Sequence, residues 1–376
     1  MMTNVRNKKI TISMGVGAAF TWFSSHCGSG FASGRQIMQY FGRHGWFSLF
    51  LPFFTWTITG LAYYFALEFC RRKGLYNYKE FGQEFYCPCY GPVFVFLMDW
   101  VMILGNITGI ASSIAAGGEL ISFYTRLPYM ACILLVMVII VLTIAFGLRM
   151  VMNFSSVLGL IIIGVIMTVT IAGLRVNSGQ TMIRAVTEHA SETGLWEALK
   201  DSVIYAGMRM TTIGTLAVLV NGMTKRDVKV TAVLGAGINA LAMAAVGMMM
   251  LNFYPLITDE AIPVVAVLRN NHLGGLEILY NVMLFCAVIS TALTLTLGLT
   301  ARFVPYGERI IVSESTRRIL YTSVIILLSL AISTFGLTNI VKNGYQMVGK
   351  FALVIFTIPW LILGPVRLKQ LKQVKE

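Results

Sequence analysis

The sequence predicts an all-α polytopic membrane protein, and two observations carry this prediction. Hydrophobic residues make up 57% of the 376 residues, charged residues only 12%, and the mean hydropathy is +0.76. The apolar runs also repeatedly reach the ~20 residues that an α-helix needs to cross a bilayer. A soluble domain does not have this composition, so we expect the chain to lie in a lipid bilayer.

Ten apolar runs follow one another along the chain, and we interpret each as one transmembrane span. The predicted spans cover residues 10–41, 46–70, 91–124, 128–149, 153–175, 196–221, 229–255, 276–302, 318–337 and 345–366. The first and third are longer than a simple crossing requires. We therefore expect them to be broken, tilted or extended beyond the lipid.

Two polar segments between the spans are predicted to be external. Residues 176–195 separate the first five spans from the second five, and residues 256–275 are expected to be partly helical. The prediction is a single transmembrane domain over residues 1–376, with five helices in 1–175, five in 196–366 and a cytoplasmic tail at 367–376.

The basic residues predict the orientation of the chain. The net charge is +13, and Lys and Arg concentrate in alternate loops, around Lys9, Arg72, Lys225, Arg309 and Lys369. Because such an excess marks cytoplasmic loops, both termini are predicted to be cytoplasmic, in a cell membrane of bacterial type. A nucleic-acid partner is not expected, because the charge follows the alternation of the loops.

The first span contains the most informative segment, the run of small residues from His26 to Gly34. Three glycines and two serines stand in the middle of an apolar span. Glycine readily leaves the helical conformation, and unpaired backbone groups in lipid cost several kcal/mol each. We therefore predict a break whose amides at Gly28, Ser29 and Gly30 face a polar solute, with a helix N-terminus suited to a carboxylate. The alternative is close helix packing through small residues.

The sixth span contains the counterpart of this segment. Five spans are an odd number, so spans six to ten would repeat spans one to five in the opposite orientation. The sixth span should then be interrupted as well, and it carries Tyr205, Gly207, Arg209 and two threonines near its centre. Paired interruptions of this kind indicate a transporter's binding site. Arg209 should be neutralised by a substrate anion or by a buried carboxylate.

The eighth span places Ala287, Ser290 and Thr291 on one helical face, at i, i+3 and i+4. One carbonyl and two hydroxyls would supply uncharged oxygen ligands to a cation. The alternative is ordinary hydrogen bonding of Ser and Thr to the preceding turn.

The segment in the first span resembles a known family. Gly28-Ser29-Gly30-Phe31 is similar to the signature in the first helix of the amino acid–polyamine–organocation superfamily. The longer run as far as Arg35-Gln36 resembles the YkvI family of bacterial membrane proteins, which are regarded as amino acid permeases. The resemblance implies the LeuT-type fold, in which ten helices form two inverted five-helix repeats and helices 1 and 6 are unwound at the substrate.

The resemblance also implies roles for particular residues. With the residues already singled out, the candidate substrate-binding residues are Gly28, Ser29, Gly30, Phe31, Asn106, Tyr205, Gly207 and Arg209. The candidate sodium ligands are carbonyls near Ser24 and Cys27 in helix one, together with Ala287, Ser290 and Thr291. Arg35 is a candidate gate that either pairs with an acid or extends to the membrane surface. The fifth span has no Lys where some proton-coupled relatives place one, which favours sodium.

The predicted function is secondary active transport of an amino acid or similar small zwitterion, with sodium as the coupling ion and no other cofactor. The alternatives are a nutrient-sensing receptor subunit on the same fold and a proton-coupled transporter of another small organic solute. An enzyme is not expected, because no acid–base or metal-binding constellation recurs at one depth. Cys87-Pro88-Cys89 could bind a soft metal, although its loop has no evident His or Met partner.

Overall fold

The computed structural model describes residues 13–86, 90–144, 148–306 and 308–373, with the backbone alone for 148–160, 177 and 372. Cys87-Pro88-Cys89 lies outside the described residues. The first half contains α1 (Met14–His26), α2 (Ser29–Ala32), α3 (Arg35–Tyr40), α4 (Leu51–Lys73), α5 (Tyr78–Phe85), α6 (Gly91–Thr125), α7 (Tyr129–Leu142), α8 (Leu148–Arg175) and α9 (Gln180–Thr187). A 3-10 segment, Gly42–Leu49, connects α3 to α4.

The second half is helical in the same way. It contains α10 (Leu195–Arg209), α11 (Ile213–Leu219), α12 (Lys225–Leu251), α13 (Pro263–Asn270), α14 (Gly274–Phe303), α15 (Glu314–Ser333), α16 (Leu337–Asn339), α17 (Gln346–Ala352) and α18 (Ile358–Gln373). The predicted external segments carry α9 and α13. The last helix runs on through Gln373, so most of the segment predicted as a tail continues the tenth span.

The helices account for ten spans. Within the described residues, six helices are long and apolar enough to cross a membrane, and two bent helix pairs raise this number to eight. The short apolar helix α7 and the broken series α1 to α3 supply the other two. The chain is a multi-pass membrane protein with an all-helical fold.

The packing of the spans has the two-fold pattern expected of inverted repeats. The first span packs on the seventh, through α1 and α12, as the sixth packs on the second, through α10 and α4. The fifth span contacts the eighth as the tenth contacts the third. Two further contacts, between the second and seventh spans and between the third and eighth, each join a span of the first half to its counterpart in the second half. This agreement supports the predicted relation between the two halves.

The first span is interrupted where the sequence predicts it. Helix α1 ends at His26, and Gly28 is extended with φ −73° and ψ −176° before α2 begins. A second turn follows at Gly34, whose φ of +79° is a left-handed conformation that favours glycine. An added Cβ there would also lie 2.6 Å from side-chain atoms of Met250 and Val264. The cluster of small residues therefore makes two changes of direction within one span.

The sixth span differs from the expected unwound helix. Between α10 and α11 the backbone stays helical and narrows to one 3-10 turn at Met210–Thr212. The Tyr63 hydroxyl from α4 donates to the carbonyl oxygens of Arg209 at 2.9 Å and Met210 at 3.0 Å. A side chain from another span thus binds the carbonyls at the tighter turn, and the backbone there contains no extended segment.

The tenth span begins earlier than predicted and contains two wide turns. It starts at Leu337 rather than near residue 345, and π-helical turns cover Ile340–Tyr345 and Leu353–Thr357. Wide turns of this kind are rare and often accompany functional sites. The first of them places Tyr345 beside the interruption of the first span.

Candidate functional site

A cavity of about 860 Å³ begins at the break in the first span. It follows α1 toward Val16 and Gly17, and Thr215 of α11 also lines it. We call the side of the bundle where α1 begins the N-terminal side, and the opposite side the far side. A volume of this order is typical of small-molecule sites.

Most of the predicted site residues line this cavity. From the substrate set these are Gly28, Ser29, Gly30, Phe31, Asn106 and Arg209, and from the sodium set Ser24, Cys27, Ala287, Ser290 and Thr291. The residues come from both halves of the chain. The structure therefore brings the two predicted sets to one space.

Gly207 does not reach the cavity lining. It packs backbone to backbone against the tenth span, and an added Cβ would overlap the carbonyl oxygen of Gly349 and lie 2.9 Å from the Leu353 nitrogen. Conversely, an added Cβ at Gly349 would overlap the carbonyl oxygen of Ile204. This glycine pair lets α10 approach α17, so Gly207 corresponds to close helix packing rather than to substrate contact.

Tyr205 also lies behind the lining rather than in it. Its hydroxyl lies 2.7 Å from Nε2 of His26, and its ring packs against those of Tyr40 and Phe41 at centroid distances of 5.0 and 5.2 Å. The ring is fully buried. Its visible contribution to the site is indirect, because the Arg209 guanidinium lies 4.9 Å above its centroid.

His26 fixes the end of α1 to both neighbouring elements. Its Nδ1 lies 2.5 Å from Oδ1 of Asn239 on α12, and Asn239 donates through Nδ2 to the Gly235 carbonyl at 2.8 Å. With the amide so oriented, Oδ1 accepts from His26 Nδ1–H. In the neutral ring, Nε2 then accepts from the Tyr205 hydroxyl. The histidine is thus fully hydrogen-bonded and holds the break between α10 and α12.

A polar chain crosses the far-side end of the cavity. Arg209 donates through Nη2 to Oε1 of Gln36 at 3.3 Å, and Gln36 lies so close to Gly30 that an added Cβ would overlap its amide. The hydroxyls of Tyr345 and Ser112 lie 2.8 Å apart. Arg209, Gln36 and Tyr345 all line the cavity, so they form its polar end.

The short helix after the break is held by the third span. Ser29 Oγ lies 2.8 Å from Ser113 Oγ and 3.4 Å from Ser112 Oγ on α6. The Ala32 amide donates to the Gly28 carbonyl at 2.9 Å and is the first intrahelical donor, so the amides of Ser29, Gly30 and Phe31 have no acceptor within this helix. No side chain among the described residues caps this helix. Two of these amides, those of Ser29 and Gly30, belong to the set Gly28, Ser29 and Gly30 that is predicted from the sequence to bind a carboxylate.

The predicted sodium ligands surround the same break. An added Cβ at Gly28 would contact Oγ1 and Cγ2 of Thr291 at 3.4 Å, which places this hydroxyl beside the end of α1. One turn later, Thr294 donates to the Ser290 carbonyl at 2.8 Å and is satisfied within its own helix. The two threonines therefore differ in where their hydroxyls are directed.

Arg35 closes the far side with main-chain partners. It is 4% exposed and donates through Nη1 to the carbonyl oxygens of Thr258 at 2.6 Å and Glu260 at 2.9 Å. The sequence left pairing with an acid or extension to the surface as its two alternatives. The structure shows a third arrangement, in which the guanidinium binds two carbonyls of the segment before α13.

Further contacts join the 3-10 segment Gly42–Leu49 to the sixth span and to the residues just before it, on the far side. Arg43 pairs with Glu197, and the buried His44 has Nε2 3.3 Å from Oδ2 of the buried Asp201. His44 Nδ1 lies 2.7 Å from the Thr193 hydroxyl. With the fully buried α3, these contacts separate the cavity from the far side.

Sequence reasoning missed several residues of this site. Gln36 was noticed only as part of a motif, while Tyr345, Ser112, Ser113 and Asn239 were not singled out. Four of the five are buried polar residues or serines inside apolar helices, where a polar group needs a partner. A search for polar residues at mid-depth would have found the serines and Asn239, but nothing in the sequence shows that Tyr345 lies in a wide turn.

The fold is similar to that of solved transporters. A variant of the manganese transporter of Eremococcus coleocola superposes with a TM-score of 0.59 and 13% identity, over 92% of this chain and 78% of that chain. MhsT in complex with L-phenylalanine superposes with a TM-score of 0.58 and 11% identity, over 95% of this chain and 98% of that chain. Both have the LeuT-type fold, and this chain has the same fold.

Comparisons with protein-family models and with curated proteins give no match for this chain. The narrower resemblance to the YkvI family therefore stays a prediction. The wider prediction of a LeuT-type fold is confirmed.

Proposed function

We propose that the protein is a secondary active transporter of an amino acid or similar small zwitterion, coupled to sodium. The observation that carries the proposal is the cavity at the break of the first span. The residues at the start of the short helix after the break and Arg209 line the same space there. Amides and a guanidinium both bind carboxylates, and they bind them more strongly where water is excluded.

Sodium coupling is proposed from the second set of lining residues. Ser24 and Cys27, at the carbonyl end of α1, line the cavity together with Ser290 and Thr291 of the eighth span. Carbonyl and hydroxyl oxygens are hard ligands suited to a small monovalent cation. An ion bound here would join the first and eighth spans directly beneath the substrate.

The shape of the cavity supports alternating access. The space reaches the N-terminal side along α1, while Arg35, Arg43 and His44 hold the far side closed. If the N-terminal side is cytoplasmic, as the distribution of basic residues predicts, this arrangement is the inward-facing state. Transport would then proceed by rocking of spans one, two, six and seven against the others.

A transition-metal substrate, as in the manganese transporter, is less well supported. Among the described residues, no group of three or more His, Cys, Asp or Glu side chains could hold a metal ion. His26 and Cys27 line the cavity, but both nitrogens of His26 already have partners. An organic carboxylate fits the donor groups better.

Uptake by the purified protein in liposomes tests the proposal. A panel of radiolabelled amino acids is presented under a sodium gradient and, separately, under a proton gradient, and at least one should accumulate under sodium. Gly30→Val should abolish accumulation because its side chain displaces Gln36 at the amides, whereas Gly237→Val faces open space. If nothing accumulates under either gradient, or if Gly30→Val transports normally, the proposed site is wrong.

A matched pair of threonine variants tests the sodium site. Thr291→Val should remove the thermal stabilisation that sodium provides, since its hydroxyl borders the break. Thr294→Val should keep it, because that hydroxyl binds its own helix. Equal sodium responses in both variants would contradict the assignment, while transport itself could persist with another coupling ion.

A further inference from the structure

We infer that the preferred substrate is an acidic amino acid, whose second carboxylate is selected by Arg209. The inference rests on the proposed function and names its substrate class. It starts from the charges that face the cavity. Arg209 is the only Lys, Arg, Asp or Glu among the described lining residues.

The contacts of Arg209 leave its charge uncompensated. Its polar partner is the neutral Gln36 amide, at 3.3 Å, and its Nε is buried without a hydrogen-bond partner in the described structure. The Tyr205 ring beneath it supplies a cation–π contact, which does not neutralise charge. None of the ion pairs between described residues includes Arg209.

An unpaired cation in a partly dehydrated cavity is unfavourable. A ligand that brings negative charge relieves this cost, and a ligand that brings positive charge adds to it. A neutral zwitterion fills the amide site but leaves the guanidinium and a bound sodium ion uncompensated. An acidic amino acid carries one additional negative charge and balances one of these two cations.

Gln36 connects the two parts of the site. Its amide lies against Gly30 and accepts from Arg209, so Gly30 in the short helix after the break and the guanidinium are separated by one side chain. The α-carboxylate at the amides and a side-chain carboxylate at the fork of Arg209 would occupy neighbouring positions. The polar end of the cavity can thus hold two carboxylates of one small molecule.

The test compares binding of tritiated glutamate, aspartate and leucine to the purified protein in sodium buffer. The wild type should bind the acidic amino acids at least about tenfold more tightly than leucine, because a hydrogen bond to a charged group is worth about that factor or more. Gln36→Glu places a carboxylate beside Arg209 and should abolish this preference. Gln36→Met removes the amide without adding charge and should keep the preference, although affinity for all ligands falls.

Variants of the arginine complete the design. Arg209→Lys keeps the charge and should keep the order of preference, whereas Arg209→Gln should lose it. Tighter binding of leucine than of glutamate by the wild type would refute the inference and leave amino acid transport intact. An unchanged glutamate preference in a monodisperse Gln36→Glu protein would refute it independently. If no amino acid binds or accumulates, the proposed function fails and the inference fails with it.

Discussion

The glycine pair between the sixth and tenth spans offers a quantitative test of the structure. Gly207→Ala adds one methyl group where α10 meets α17. That carbon would overlap the Gly349 carbonyl oxygen and lie 2.9 Å from the Leu353 nitrogen, whereas ordinary contacts begin at 3.4 Å. All these atoms belong to backbone, so no side chain can turn aside and the helices must separate by roughly 0.5 Å or more.

The magnitude follows from two opposing effects. Overpacking of this kind costs about 1–3 kcal/mol, and replacing a helical glycine by alanine returns up to ~1 kcal/mol. The net destabilisation should lie between about 0 and 3 kcal/mol, and relative to a glycine-to-alanine control that meets no contact it should be about 1–3 kcal/mol. Gly237→Ala is the matched control, since its added carbon meets nothing within 4 Å. It should be neutral or slightly stabilising.

Thermal unfolding in detergent, followed by circular dichroism at one scan rate, measures the difference. We expect Gly207→Ala and Gly349→Ala each to lower the apparent Tm by a few degrees relative to the Gly237→Ala control. The double variant should cost less than the two single effects together, because one separation of the helices accommodates both methyl groups.

Two results would refute this reasoning. If Gly207→Ala matches Gly237→Ala in Tm, the close approach of α10 and α17 is absent. If Gly207→Ala keeps its Tm but changes which amino acid binds, Gly207 contacts substrate after all.

Three further variants test contacts around the site. Tyr205→Phe leaves buried His26 without its hydroxyl partner and should destabilise the protein by about 1–3 kcal/mol. Its ligand affinity should stay within about threefold of wild type. A large loss of affinity at unchanged Tm would place Tyr205 in the binding surface. Glu68→Gln removes a buried carboxylate that pairs with two arginines and should lower the Tm clearly. Its control, Glu314→Gln, removes an exposed ion pair worth about 0–1 kcal/mol. Similar Tm shifts in both variants would contradict the burial of the Glu68 carboxylate. Arg35→Met should speed amide hydrogen exchange about tenfold or more in the segment that contains Thr258 and Glu260, whose carbonyls Arg35 binds. Unchanged exchange would show that another contact holds the far side.

The membrane class and the position of the first break could be predicted because their causes are local. An apolar run of sufficient length specifies a span by itself, and glycine at Gly34 is favoured by a backbone angle set within the same turn. The placement of the three eighth-span residues on one face was likewise predictable, since i, i+3 and i+4 share a helical face, while their binding of sodium stays a prediction. All three residues line the cavity.

The conformation of the sixth span could not be predicted from its own residues. Its small residues and threonines resemble those of the first break, yet it only narrows to a 3-10 turn, at which Tyr63 from another span binds two carbonyls. A small residue looks the same in the sequence whether it faces a solute or a neighbouring backbone. Only the position of Gly349 showed that Gly207 is a packing residue.

An all-helical membrane protein with an interrupted first span follows from the sequence alone, because hydropathy and glycine conformation act within a few residues. The tertiary structure decided which polar residues share the cavity, because that depends on spans far apart in the chain meeting at one depth. It joined Gln36, Arg209 and Tyr345 at one end of the cavity and left Tyr205 behind its wall. The charge balance of those residues, which comes only from their assembly, is the basis for the proposed choice of substrate.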